Sequence, residues 1–436
     1  MWSRFLSDYG MVLILAALCA FLAIGTVGEQ YPSGAAAGKQ VADDVIARTP
    51  AGASVLIIVR DTPEDRAFQI ALQERLTASG RHVVQSVYGE PSGGALAIRK
   101  LTEEGVKLNA IAVTKEVGEW SIFDQKTAAV LYQPVSRYGS TFLTAANLVN
   151  VADQIAVIAI MAIGMTMVII TGGIDLSVGS LVALSSVLST WLIRASGGAG
   201  GATNFDMILG CAAAVGACGL VGLGTGVVVT GFRVPAFIVT LGVMQIARGA
   251  AARITEGQSI ADAPESFTWL ARGSTLGIPN AIGLMVVLYA IAHFVMARTV
   301  LGRYLYAVGG NAEAARLSGV PVPRVVAFSY AVSGALAGLG GVLVASQLRT
   351  GSPIYGEKYE LLVIAAVVVG GTSLSGGEGK ILGTLTGAFL IAVINNGMNL
   401  VGLQSWDQEM VLGGVIVLAV LFDRVKQLGW TRFSGA

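Results

Sequence analysis

The sequence predicts an all-α polytopic membrane protein with about ten transmembrane helices, two of them broken, and a small inserted extracytoplasmic α/β domain of βαβαβ order. Three observations carry this expectation. Mean hydropathy is +0.71 and only 13% of residues are charged, about half the charge of a soluble domain, while several apolar runs reach the ~20 residues that span hydrocarbon. About 24 of the 55 charges (28 Lys and Arg, 27 Asp and Glu) fall between residues 34 and 137, so that quarter of the chain has a different solvent. Residues 172–180 and 370–377 share the pattern Gly-Gly-x-x-Leu-Ser-x-Gly, and each sits between apolar runs.

The first run, residues 11–27, lacks an Ala-x-Ala cleavage site and is long for a signal peptide, which predicts an uncleaved anchor in a 1–33 segment. Residues 34–137 then alternate element types. Residues 54–59 form a strand run, and 64–77 have helical spacing through Phe68, Ala71, Leu72 and Leu76, closed by Gly80. A second strand (82–87), a second helix (94–104) and a third strand (108–113) follow, so the sheet is expected to be parallel with right-handed crossovers. Its strand ends carry Arg60, Asp61, Glu90, Thr114 and Lys115, where such sheets bind ligands. This pattern is similar to part of one lobe of a periplasmic sugar-binding protein. At about three strands it is too small to enclose a sugar, and docking or regulation is as consistent with it as binding.

The remaining 138–436 segment is read as the membrane core, with apolar runs at 155–170, 177–193, 207–230, 237–252, 281–297, 325–345, 361–369, 381–400 and 410–422. The short 361–369 run suggests a partial span. Arg4, Arg233, Arg298, Arg303, Arg316, Arg324, Lys380, Arg424, Lys426 and Arg432 gather on one side, which predicts both termini in the cytoplasm.

Gly172 and Gly173 weaken a helix by about 1 kcal/mol each relative to alanine. The spacing therefore predicts a break there, with Asp175 capping a helix that restarts at Leu176; Gly370 and Gly371 predict a second break. Irregular backbone at membrane depth is tolerated only where protein or a water-filled cavity covers it, so Asp175, Ser177, Thr372 and Ser373 are candidate lining of a polar path. Asn395 and Asn396 either face that path or bond between helices.

Residues 298–324 form a long connection with its own logic. Asn311 is a good N-cap, 312–317 are helix formers, and Gly319 with Pro321 stops them. A short capped helix of this kind suits a socket on another protein or the lipid interface. Several functions are disfavoured. A net charge of +1 gives no sign of nucleic-acid binding, no His or Cys spacing suggests a metal, and Gly376-Gly377-Glu378-Gly379-Lys380 is followed by Ile381 where a phosphate loop needs Ser or Thr. Any ATPase must be another subunit.

Residues 172–180, Tyr306-Ala307-Val308-Gly309-Gly310-Asn311, Ala314-Ala315-Arg316-Leu317-Ser318-Gly319 and 370–379, in this order, resemble the permease subunits of ribose-type ABC importers, a family that includes xylose, galactose and autoinducer-2 permeases. The resemblance covers the first span and nearly everything from Phe142 onward. It implies a permease dimer in a bacterial inner membrane and no cofactor. It also implies cytoplasmic ATPase subunits docked on the connector through Asn311, Glu313, Arg316 and Gly319, and an extracytoplasmic binding protein that delivers a monosaccharide. The segment between Glu29 and Phe142 is normally a short loop in that family. Two other functions stay open on the residues alone: an ion-coupled secondary transporter, which would need titratable groups beyond Asp175 within the spans, and a sensor whose outer domain signals inward.

Overall fold

A computed structural model describes residues 2–123 and 129–428. The chain divides into two compact units, Ile24–Thr141 and the combination of Met1–Ala23 with Phe142–Ala436. Arg432, counted above among the inner charges, lies outside the described residues.

Helix α1 (Trp2–Gly25) leads into the smaller unit, which runs through β1 (Val27–Gln30), α2 (Gly34–Arg48), β2 (Ser54–Val59), α3 (Pro63–Ala78), β3 (His82–Tyr88), α4 (Pro91–Glu103), β4 (Ala110–Val113), α5 (Lys115–Gly118), β5 (Val130–Tyr132) and β6 (Arg137–Ser140). The sheet is parallel in the order β3-β2-β4-β5. It is one strand larger than the βαβαβ reading and is preceded by a helix that the reading lacks. Central β2 is apolar on both faces: Val55, Ile57 and Val59 pack with α2 and α3, while Leu56 and Ile58 pack towards Leu101 and Val117. Burial of each such side chain contributes about 1.5–3 kcal/mol. The unit is wider than residues 34–137 because β1 and β6 pair antiparallel, from Val27 opposite Ser140 to Gln30 opposite Arg137.

The larger unit continues through α6 (Ala145–Ile170), α7 (Val178–Ala195), α8 (Gly198–Gly201), α9 (Asn204–Phe232), α10 (Ala236–Thr255), α11 (Trp269–Arg272), α12 (Asn280–Arg298), α13 (Val300–Gly310), α14 (Ala312–Leu317), α15 (Val322–Leu348), α16 (Tyr359–Val369), α17 (Ile381–Leu400) and α18 (Ser405–Leu428). Among the described residues seven helices are long and apolar enough to cross a membrane: α6, α7, α9, α10, α12, α15 and α17. Shorter apolar helices cover Gly10–Gly25 and Tyr359–Val369. The protein is a predominantly helical, polytopic membrane protein.

Helix ends follow local chemistry. Thr144 accepts the Asn147 N–H at the start of α6, and Thr203 with Asp206 forms a reciprocal capping box on α9, which satisfies N–H groups that hydrocarbon could not. Helix α15 sits at the centre, and small residues let other helices approach it. A Cβ on Gly164 would stand 2.5 Å from the Ser333 Cα, and one on Gly226 would stand 2.5 Å from the Ala327 Cα. Close backbone approach of this kind is how helices associate where lipid removes the hydrophobic drive.

Candidate functional site

The first glycine stretch is a re-entrant turn. Helix α6 ends at Ile170, Gly172 adopts φ +81°, and α7 starts at Val178, two residues later than the sequence suggests, with Ser177 as its N-cap. Asp175 is not the cap residue. Its Oδ1 accepts the Ser177 N–H (3.0 Å) and Ser177 hydroxyl (2.6 Å), and its Oδ2 accepts the Ser333 hydroxyl (2.8 Å). Because Ser333 lies eleven residues into α15, Asp175 sits roughly 16 Å along that helix, at the rise of 1.5 Å per residue. Gly164 packs against the same Ser333, six residues before the end of α6, so the chain climbs back about 9 Å before α7 begins. Asp175 and Ser177 are each 1% exposed; both are buried within this chain.

The second stretch lies beside the first. Thr372 and Ser373 are buried, the Thr372 hydroxyl has no partner among the described residues, and Gly371 adopts φ +89°. Its loop touches the α6 end directly: the Gly377 N–H donates to the Ile170 carbonyl (2.9 Å). The connector joins them there. A Cβ on Gly309 would overlap the Ile170 carbonyl and stand 2.5 Å from the Gly377 nitrogen, while one on Gly377 would stand 2.9 Å from the Gly310 Cα. Three segments distant in sequence thus pack backbone on backbone, and the Tyr306 hydroxyl donates to the Gly379 carbonyl (2.7 Å) beside them.

A further discontinuity, at 349–358, escaped the sequence reading, although the short 361–369 run after it did not. Helix α16 has eleven residues, roughly 16 Å and about half of a hydrocarbon core. The irregular segment before it runs down α7. Gly351 packs on Ser186 and Thr190, the Ser352 N–H donates to the Ser186 hydroxyl (3.3 Å), and a Cβ on Gly356 would stand 2.7 Å from the Val182 Cβ and overlap the Gly179 carbonyl. Its backbone is further satisfied by a bridge between Gly351 and Ile260. Arg349 (φ +56°) and Lys358 (φ +65°) bracket it in left-handed conformations, each costing about 1–2 kcal/mol. The first turn of α7, just after the 171–177 turn, meets the 349–358 segment at Gly179 and Gly356. The signals were Gly351, Pro353 and Gly356 ahead of an apolar run too short to span.

The other candidate residues are scattered. Asn396 exchanges two amide hydrogen bonds with Asn147 (3.0 and 2.8 Å), tying α17 to α6, and Asn395 is half-buried beside it. On the connector, the Asn311 Oδ1 accepts the Ala314 N–H (2.9 Å), Gly319 adopts φ +85°, and Glu313 pairs with Arg316, which holds the Glu313 carboxyl below its ordinary value. Only Ala315 of α14 is buried, and Leu317 is 77% exposed.

Within the smaller unit the strand ends close on themselves. Arg60 donates from Nε (3.0 Å) and Nη2 (3.1 Å) to Asp65 and pairs with Glu116 (3.3 Å), Asp61 pairs with Arg66, and Lys115 lies 4.8 Å from the Tyr31 ring centroid. Burial alone would raise the Asp65 carboxyl, but its hydrogen bonds from Arg60 hold it below 3.8. The enclosed cavity, about 40 Å³, has room for a few waters.

The family described as "Branched-chain amino acid transport system / permease component" matches residues 147–420. The chain is 42% identical over 302 residues to the ribose import permease protein RbsC of Escherichia coli (strain K12), covering 68% of this chain and 92% of that one. It is 42% identical over 294 residues to the ribose import permease protein RbsC of Bacillus subtilis (strain 168), covering 67% and 89% respectively. Identity to the L-arabinose ABC transporter permease protein AraH of Azospirillum brasilense is 35% over 314 residues, covering 71% and 90%. No solved structure matches. With a family match over more than half of its length, and relatives aligned over nine-tenths of theirs, the chain belongs to the monosaccharide permease family of ABC importers.

Proposed function

We propose that the protein is the membrane-spanning subunit of an ATP-driven importer for ribose or a closely related monosaccharide. The observation that carries this reading is 42% identity across 92% of a ribose import permease, and the family match over residues 147–420 includes the re-entrant turn and the connector. In this reading α1, α16 and α18 join the seven long helices to give ten membrane elements, both termini are cytoplasmic, and two copies enclose the path. ATPase subunits engage α14 through Asn311, Glu313, Arg316 and the exposed Leu317. The path passes the two glycine stretches, where the hydrogen bonds of Asp175 with Ser177 and Ser333 fix the first loop and buried Thr372 and Ser373 belong to the second.

The unit between α1 and α6 faces the extracytoplasmic side, where it meets the sugar-binding protein; the cavity at its strand ends, about 40 Å³, is too small for a pentose, which favours docking over capture at that place. Uptake of labelled D-ribose, L-arabinose, D-xylose and D-galactose by cells lacking this chain, with and without its return, tests the assignment. Restored uptake of at least one sugar that depends on a functional partner ATPase is expected. Identical uptake with and without the chain overturns it.

A further inference from the structure

We propose that Arg248 and Glu360 hold the transported sugar partway across the chain, the guanidinium supplying donors to its hydroxyls and the carboxylate supplying acceptors. The proposal rests on the sugar-permease reading and deepens it. Arg248 lies inside α10, one of the seven long apolar helices, and Glu360 in the first turn of α16. Charges within such helices face a bundle interior or a water-filled space, because hydrocarbon strongly disfavours them. Both side chains are half-exposed, so this chain alone does not cover them.

Both charges border the contact between the 349–358 segment and the first turn of α7. Arg248 Nη1 donates to the Pro353 carbonyl (3.1 Å) in the 349–358 segment. The Glu360 carboxylate lies against Gly179, where a Cβ would overlap Oε2. The hydroxyl of Ser180, next along α7, is buried without a partner. No ion pair within 4.0 Å joins Arg248 and Glu360 among the described residues. A donor-only guanidinium and an acceptor-only carboxylate beside the same irregular segment suit a neutral polyol, whose adjacent hydroxyls both give and accept.

The test uses the full chain with its ATPase and binding protein in proteoliposomes, with Cys19, Cys211 and Cys218 replaced by alanine. Arg248→Cys and Glu360→Cys are treated with a membrane-impermeant cationic thiosulfonate, which reacts with a thiolate and hence with a thiol facing water. Ile246→Cys, on the exposed face of α10 at 72% exposure, is the lipid-facing control. We expect both cysteines to react about tenfold faster than the control. In the otherwise unaltered chain, Arg248→Gln and Glu360→Gln should each raise the KM for D-ribose uptake about tenfold or more, and Arg248→Lys should retain more uptake than Arg248→Gln. Labelling rates equal to the Ile246→Cys rate would overturn the proposal, as would wild-type uptake kinetics in Arg248→Gln and Glu360→Gln. Failure of the wild-type complex to import any sugar would overturn the permease reading separately, while the labelling rates would still report whether the pair faces water.

Discussion

Asp175 provides the sharpest separation between a structural and a charge-dependent role. Its carboxylate accepts three hydrogen bonds, two from Ser177 and one from Ser333, and pairs with no cation among the described residues. Asparagine at this position keeps an oxygen for both Ser177 donors, and its amide can donate to the Ser333 hydroxyl, which reverses its role. Alanine removes all three bonds and leaves the Ser177 N–H orphaned at the start of α7. Even counting one lost charge-assisted bond and one buried orphan donor, the cost is about 2.5–6 kcal/mol. At about 2 °C per kcal/mol for a unit of this size, that is a drop of roughly 5–12 °C in melting temperature. The assay is melting of the detergent-solubilised chain, paired with uptake in proteoliposomes. Asp175→Ala should melt early, whereas Asp175→Asn should melt within about 2 °C of wild type and retain transport. If Asp175→Asn abolishes transport at an unchanged melting temperature, the charge itself takes part in translocation, and an ion-coupled mechanism regains standing.

Other perturbations have defined outcomes. Gly309→Ala places a methyl group on the Ile170 carbonyl, whereas Gly310 has open space; the first should cost about 3 kcal/mol or more and the second little, as judged by melting and size-exclusion profiles. Leu317→Ser leaves the melting temperature unchanged because the side chain is exposed, yet it should weaken ATPase association about tenfold, since burying a leucine contributes about 1.5–3 kcal/mol; co-purification of the ATPase measures it. The Asp65 carboxyl is held below its ordinary value of 3.8, so the stability it contributes is present above that value and lost as pH falls through the depressed one. Hydrogen exchange along β2 and α3 of the full chain should lose protection there, and Asp65→Asn should remove that dependence.

Much of the architecture was legible because hydrocarbon imposes a coarse rule: runs of apolar residues long enough to span must be helices, and each run named from sequence falls on one, except that 11–27 overruns α1 into β1. Within the smaller unit, Ser54–Val59 was legible to the residue because it is apolar on both faces. Helix α2 was not, since its core face is mostly alanine and glycine with only Val41 and Val45 to mark a period. Of the candidate site, the turn at Gly172 was visible through its glycines. The bonding of Asp175 was not, because Ser333 lies 158 positions away and only folding brings them together. The 349–358 segment was missed for another reason: its glycines and proline read as an ordinary loop between spans until Ser186, Val182 and Gly179 show how far along α7 it travels.

That geometry also bears on how a cytoplasmic event could reach the middle of the membrane. Helix α14 follows α13 directly, and the last two residues of α13, Gly309 and Gly310, touch both the end of α6 and the Gly376–Gly377 loop without an intervening side chain. Side chains can absorb displacement by changing rotamer; backbone packed on backbone cannot. A shift of α14 by a bound ATPase therefore has little slack before it displaces Ile170 and the Gly377 N–H bonded to it. From Ile170 the chain needs only the 171–177 turn to reach Asp175, which is fastened to α15 and stands at the foot of α7. The first turn of α7 in turn carries Gly179, against which Gly356 and Glu360 rest. The glycines thus do more than interrupt helices: by excluding side chains they make α14 and the junction at the first turn of α7 parts of one stiff linkage.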